Sequence, residues 1–384
     1  MFNSLRDYVA KLEELGEVEY IEGADRELEI GAITEIFAEH DGPALVFDKV
    51  KGFPAGYRVA TNLTMTLKRA AIALGFDPEL SRIGFIKAWR DKLRAMKPIP
   101  PVMIKTGPVK ENIHTGSEVD LSEFPAPKYH EFDGGYYIGT GNMVIMKDPE
   151  EGWVNLGTYR VQTCDKDTAV MYIAPGQHGS IIMEKYWAKG LSCPLAISCG
   201  QDPITYNFSS MKIPWGISEY DYAGGFAGKA IEVMKGEVTD LPIPASAEIV
   251  IEGECPPPSV ESFRVEGPFG EWGGYYAGGA EPRPTIKVKT ILHRDAPILQ
   301  GNPPLKPPLK QLGYEHMIAA ATIWNRLEGE IPGVKGVWPI SEATGGVFPV
   351  ILVVSIEQKY DGHAKQAALL ASNYSAGATN NTFT

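Results

Sequence analysis

A mixed α/β protein with a strand-rich centre is what this sequence predicts, on three observations. Apolar residues at helical spacing mark the start of the chain and recur near its end. Short alternating segments bounded by glycine and proline fill the middle. At 384 residues the chain is too long for one ordinary core. The expected division is an N-terminal α/β domain over 1–101, a strand-rich domain over 102–302, and a linker with a C-terminal α/β region over 303–384.

In chain order, Ser4 with Asp7 three residues on resembles a capping box, with Asp where Glu or Gln is usual. Leu5, Tyr8, Val9, Leu12 and Leu15 then follow at helical spacing, and Gly16 stops the helix. A second helix is expected over 29–39, a strand over 44–50, and helices over 64–74 and 83–96. In the last of these Ile83, Phe85, Ile86, Trp89 and Leu93 supply the buried side. The stretch KPIPPV at 97–102 reads as a boundary. Beyond it, strands are expected over 137–147, 153–161, 168–173, 195–199, 247–252 and 285–293, with helices over 179–190 and 223–234. Many short strands with few helices suggest a barrel or folded-over sheet. Pro303, Pro304, Pro307 and Pro308 make a rigid crossing, followed by a helix over 314–326, a buried strand over 347–356 and a last helix from about Gly362.

Composition narrows the function. A net charge of −12 argues against nucleic acid as the main partner, because phosphate backbones attract basic faces. Cys164, Cys193, Cys199 and Cys255 make no CxxC pair and no metal spacing, so they read as reduced thiols of a cytoplasmic protein. The opening MFNSLRDYVAKLEELGE is an amphipathic helix with acidic residues rather than a signal peptide. No apolar run is long enough to span a bilayer.

The chemistry concentrates in WVNLGTYRVQTCDKDTAVMYIAPGQHG, which carries Asn155, Arg160 and His178. On a regular strand Asn155 and Arg160, five apart, point to opposite faces, so a twist or bulge near Gly157 is needed to bring both to one cavity. An arginine in so apolar a strand demands an acidic partner. Glu266 and Glu271, within RVEGPFGEWGGYY, are the candidates, placed on a strand end and its turn. Two carboxylates near one guanidinium acquire different proton affinities, which suits acid/base work. A structural ion pair beside a solvated turn glutamate fits the same spacing. Asn155, His178 and Glu219 suit a hard dication such as magnesium or manganese, although singly they read as a turn amide, a helix cap and a surface acid. The segment Asn207-Phe-Ser-Ser-Met211 offers hydroxyls, backbone donors and a thioether that suit a ring system or phosphate oxygens, or simply a polar loop over the core.

These residues fall together in one known pattern. The chain resembles the UbiD-like decarboxylases along nearly its whole length: NLGTYR (155–160), PGQHG (175–179), SSMKIPWGISEYDYAGG (209–225), EGPFGEWGGYY (266–276) and KYDGHAKQAA (359–368). The resemblance implies a central split β-barrel of flavin-reductase type, a prenylated FMN cofactor, and reversible non-oxidative decarboxylation of an aromatic, heteroaromatic or α,β-unsaturated acid. It implies a catalytic network of Arg160, Glu266 and Glu271, with Glu271 the proton donor and Glu266 tied to Arg160. Asn155, His178 and Glu219 are implied as ligands of Mn2+ (or Mg2+) at the flavin phosphate, with K+ nearby. Gln177, Ser209, Ser210 and Met211 match flavin contacts, and Lys359 matches a phosphate-contacting lysine. A flavin prenyltransferase as cofactor source and a homo-oligomer, dimer or hexamer, are implied partners. A ubiquinone- or menaquinone-pathway decarboxylase, a flavin-binding subunit of a larger carboxylase and an ordinary FMN reductase are the alternatives. Relatives are expected to continue through another strand and helix beyond AGATNNTFT.

Overall fold

The computed structural model describes residues 1–276, 278–306, 314–340 and 351–375. Pro307 and Pro308 of the expected crossing, and residues 347–350 of the expected strand, lie outside them. The first helix, Leu5–Glu14, is capped by the Ser4 hydroxyl, which accepts from Asp7 N–H at 3.1 Å. The Asp7 carboxylate reaches back one residue further than in a capping box, to Asn3 N–H at 3.1 Å. Its apolar stripe packs on a four-stranded sheet ordered Val18–Glu22, Ala44–Asp48, Arg58–Thr61, Ile298–Gln300. The fourth strand comes from far along the chain, so the N-terminal layer is closed by a segment that follows the central strands.

Helix Arg82–Ala95 buries Phe85, Ile86 and Trp89, but Ile83 is 38% exposed, contrary to the sequence reading. At about 100° per residue, Ile83 lies roughly 200° round the helix from Phe85, on the far side. The helix expected over 223–234 is instead Glu219–Ala227, capped by Ser218 and ended at Gly228 in the left-handed region (φ 71°), with a strand at Glu232–Lys235 after it.

The centre is a nine-stranded, largely antiparallel sheet in the order Tyr137–Gly139, Arg160–Asp165, Thr168–Tyr172, Thr285–His293, Ile249–Cys255, Cys193–Cys199, Asn142–Lys147, Val154–Gly157, with Asn112–Thr115 also paired to Thr285–His293. Two expected strands, 137–147 and 153–161, are each broken in the middle. The halves of each lie toward opposite ends of this order, yet only two residues join them. Three peptide steps reach at most about 11 Å, so the sheet must curl until its two ends meet. Asn142 Nδ2 bridges the join, donating to Tyr159 O at 3.0 Å.

Both faces of the sheet are buried along its inner strands. Along Asn142–Lys147, Met143 and Ile145 face a cluster with Trp89, Phe208 and Phe226, while Val144 and Met146 face one with Val161, Ile197 and Ile251. Among the described residues the strand Ile351–Ile356 pairs with Val334–Ile340 alone, and it alternates exposed and half-buried residues where the sequence suggested a buried strand. The last helix, His363–Ser375, begins one residue after Gly362.

Candidate active site

Residues two apart on a strand share a face, and that rule builds the first half of the site. Arg160 and Gln162 both reach the segment after strand Arg264–Glu266. Gln162 Oε1 accepts from Gly267 N–H at 3.0 Å. The Arg160 guanidinium grips Glu266 through Nε (2.7 Å) and Nη2 (3.0 Å), and donates through Nη1 to Glu271 at 2.8 Å. Three of its five N–H groups are thereby used, leaving one on each terminal nitrogen. Tyr172, the cross-strand partner of Arg160, places its ring 4.4 Å from the guanidinium carbon, and Phe269 lies 4.9 Å away.

The two acids are unequal. Glu266 is 1% exposed and also accepts from the Tyr137 hydroxyl at 2.9 Å. Burial pushes the Glu271 carboxyl up, the Glu266 charge adds to this, and Arg160 pulls partly back, for a net rise. Glu271 is the shallower acid and holds one arm of the guanidinium where Glu266 holds two. Arg160, Tyr172 and Glu271 open with Gly278 and Arg283 into a cavity of about 200 Å³.

The second half of the site forms around Glu219, 1% exposed at the start of its helix. Its carboxylate accepts from Leu156 N–H at 2.6 Å and Asn155 Nδ2 at 3.0 Å, and no lysine or arginine pairs with it among the described residues. Burial pushes the carboxyl up to about 8 against the pull of those donors. His178 opens the helix His178–Ala188 between the rings of Trp153 and Trp215, at 5.5 and 5.2 Å. Burial, with the Lys212 charge adding to it, lowers the imidazole's pKa. The imidazole makes no hydrogen bond to Asn155 or Glu219 among the described residues; what ties the pieces together is Tyr159. Its hydroxyl accepts from Gly179 N–H at 3.1 Å and donates to Asn155 Oδ1 at 3.4 Å.

Tyr159 is a residue the sequence reading missed, and its signal lay in glycines. A Cβ on Gly157 would sit 2.2 Å from the Tyr159 ring, and one on Gly179 would sit 2.6 Å from it. The ring fills the space both glycines leave, clamping NLGTYR to PGQHG. Gly134 has a similar reason: a Cβ there would lie 2.0 Å from Gly267 O, so only glycine lets the Tyr137 segment approach Glu266.

The raised Glu219 value has a measurable consequence. A carboxyl whose folded value lies above its unfolded value contributes full stability below the unfolded value and loses it as pH rises through the folded one. In protein stripped of divalent cations, this group should lower the unfolding free energy by roughly 1.4 kcal/mol per pH unit from about 4.5 upward, flattening above about 8. Urea titrations across that window should show the slope in the native protein and its loss in Glu219→Gln.

The remaining candidates are dispersed. Gln177 caps the His178 helix, and its carbonyl accepts from Ser180 Oγ at 2.8 Å. Ser209 and Ser210 close the helix Pro203–Ser209, each hydroxyl donating at 2.7 Å to a carbonyl of its own helix, Tyr206 and Asn207. Met211 packs on the core beside them. Lys359 stands apart: its ammonium is exposed and ion-paired with Glu357, with no contact to the other candidates among the described residues.

Residues 102–307 match the 3-octaprenyl-4-hydroxybenzoate carboxy-lyase Rift-related domain, and residues 9–87 match the N-terminal domain of the same carboxy-lyase. The chain is 34% identical over 293 residues to the pyrrole-2-carboxylic acid decarboxylase of Pseudomonas aeruginosa, covering 73% of this chain and 58% of that enzyme. It is 32% identical over 315 residues to ferulic acid decarboxylase 1 of Saccharomyces cerevisiae, covering 78% of this chain and 61% of the yeast enzyme. The chain therefore spans about three fifths of these two relatives. Among solved structures, the UbiD-class enzyme HmfF from Pelotomaculum thermopropionicum in complex with prFMN superposes with a TM-score of 0.85 at 28% identity, covering 98% of this chain and 84% of that one.

Proposed function

This chain belongs to the UbiD family of carboxy-lyases, and from that premise we propose that it reversibly decarboxylates an aromatic, heteroaromatic or α,β-unsaturated carboxylic acid. The observation that carries the reading is one guanidinium shared by two glutamates of unequal environment beside a cavity.

Arg160 keeps two N–H groups for a substrate carboxylate while Glu266 holds the guanidinium still. When the bond to CO2 breaks, its electron pair stays on the ring or vinyl carbon. Glu271, whose raised pKa favours the protonated form, delivers a proton there and forms the new C–H bond. The resulting carboxylate is stabilised by Arg160 Nη1 and, being 27% exposed, recovers a proton from solvent.

The Asn155, His178 and Glu219 donors fit a hard or borderline dication, because Glu219 is a buried acid without a cationic partner among the described residues. Asn155 Oδ1, an imidazole nitrogen of His178 and a Glu219 oxygen would hold Mn2+ or Mg2+ there, with K+ nearby. Gln177, Ser209, Ser210 and Met211 would flank a flavin, since both hydroxyls can redirect from carbonyls of their own helix. Prenylated FMN, when bound, would supply an electron sink that stabilises the charge left on that carbon. The curled nine-stranded sheet is the part we equate with the split barrel, within a division 1–101, 102–302 and 303–384. A flavin prenyltransferase would supply the cofactor, and a homo-oligomer is the expected assembly.

Protein produced alongside a flavin prenyltransferase should incorporate deuterium from D2O at the carboxylated carbon of a member of a benzoic, heteroaryl and cinnamic acid panel. Failure of exchange across the panel in flavin-loaded protein would defeat the reading.

A further inference from the structure

Away from this site, three side chains from two strands of the central sheet and a neighbouring turn converge. His114 lies on strand Asn112–Thr115 and His293 ends strand Thr285–His293. The register sets His114 opposite Ile291, which makes His293 its diagonal neighbour on the same face. The imidazoles meet edge to face at 5.1 Å. Glu123 joins them from the turn Leu121–Glu123.

Each residue brings a ligand atom to within 4.8 Å of the others. His293 is 3% exposed, and its Nδ1 lies 2.8 Å from Arg294 O. A carbonyl only accepts, so Nδ1 carries the proton and the neutral ring turns the Nε2 lone pair inward. That Nε2 is buried and lacks a hydrogen-bond partner among the described residues. His114 Nδ1 and Glu123 Oε1, equally buried, stand 3.2 Å apart and pair as ions when the imidazole is protonated. A buried ring nitrogen whose lone pair meets no donor is costly, and it lies beside a proton that a cation could replace.

We propose that His114, Glu123 and His293 form a second metal site, selective for a borderline dication of the zinc class. Two imidazoles and one carboxylate are a zinc donor set, and the fixed Nδ1–H of His293 is the outer hydrogen bond that orients such ligands. Ligand atoms around tetrahedral zinc lie about 3.4 Å apart. The trio therefore has to close by at most about 1.4 Å at its widest pair, which the partly exposed His114 and Glu123 side chains accomplish by rotation. Of the three, Glu123 also lines a cavity of about 570 Å³ together with Tyr57, Arg26 and Lys51. The ion would tie the turn to two strands of the sheet, well apart in sequence from the Glu219 donors.

Chelator-stripped protein dialysed against micromolar zinc and assayed by elemental analysis tests this. Glu219→Gln, which disables the other donor set, should retain one zinc and gain thermal stability on zinc addition. Adding His114→Ala or Glu123→Gln to that background should abolish both effects. Cobalt in place of zinc should give the intense visible bands of a four-coordinate ion, lost in the same variants. Glu123→Gln preserves side-chain shape, so it decides the question if His114→Ala fails to fold. Zinc uptake unchanged by either substitution, or none by the Glu219→Gln protein, would overturn the site.

Discussion

Arg160→Met is expected to destabilise the protein by about 3–5 kcal/mol and to abolish decarboxylation. The size follows from what stays behind. Glu266 is 1% exposed and loses both charged donors at once, keeping only the Tyr137 hydroxyl. A buried carboxylate without its cation is among the few single changes with so large an effect. The double variant Arg160→Met with Glu266→Gln removes the orphaned charge and should recover much of the stability without recovering activity. Chemical denaturation of the four members of this cycle measures the coupling. Additive losses would mean that the pair is not the unit described above.

Glu271→Gln should behave in the opposite way, with turnover lost and the fold intact. Glu271 is partly exposed and shares only one arm of Arg160, so its neutral isostere leaves little unsatisfied. A positioned general acid contributes about 10²–10⁴ in rate, and the decarboxylation and deuterium-exchange rates should both fall by about that factor. Flavin content should not change, because Glu271 touches none of the residues assigned to the cofactor. In the native enzyme, activity should decline with rising pH only above the ordinary carboxylate range, because burial raises Glu271. Wild-type turnover by the glutamine variant would remove Glu271 from the role of acid.

Much of this was legible in the chain, and the reasons are local. The Ser4 cap, the Gly16 stop and the uninterrupted strand 285–293 depend on neighbours within a few residues. Where the reading slipped, distance was the cause. The expected strands 137–147 and 153–161 carry continuous strand patterns, yet each breaks where the sheet curls to meet itself. The helix Glu219–Ala227 lies earlier than the expected 223–234 because Ser218 and Gly228 set its ends, ahead of the apolar run that suggests the later span.

By itself the sequence determined the succession of short-range elements, the residue types able to do carboxylate chemistry, and the ordered blocks that tie the chain to its family. Only the tertiary structure decided that Glu266 takes two arms of Arg160 from 106 residues away, that Glu271 takes the third from 111 away, and that Tyr159 fills the space left by Gly157 and Gly179. Backbone preferences act over a turn or a strand. Proton affinity and ion pairing depend on how much water and which charges the folded chain leaves beside a group, and residues a hundred positions away set both.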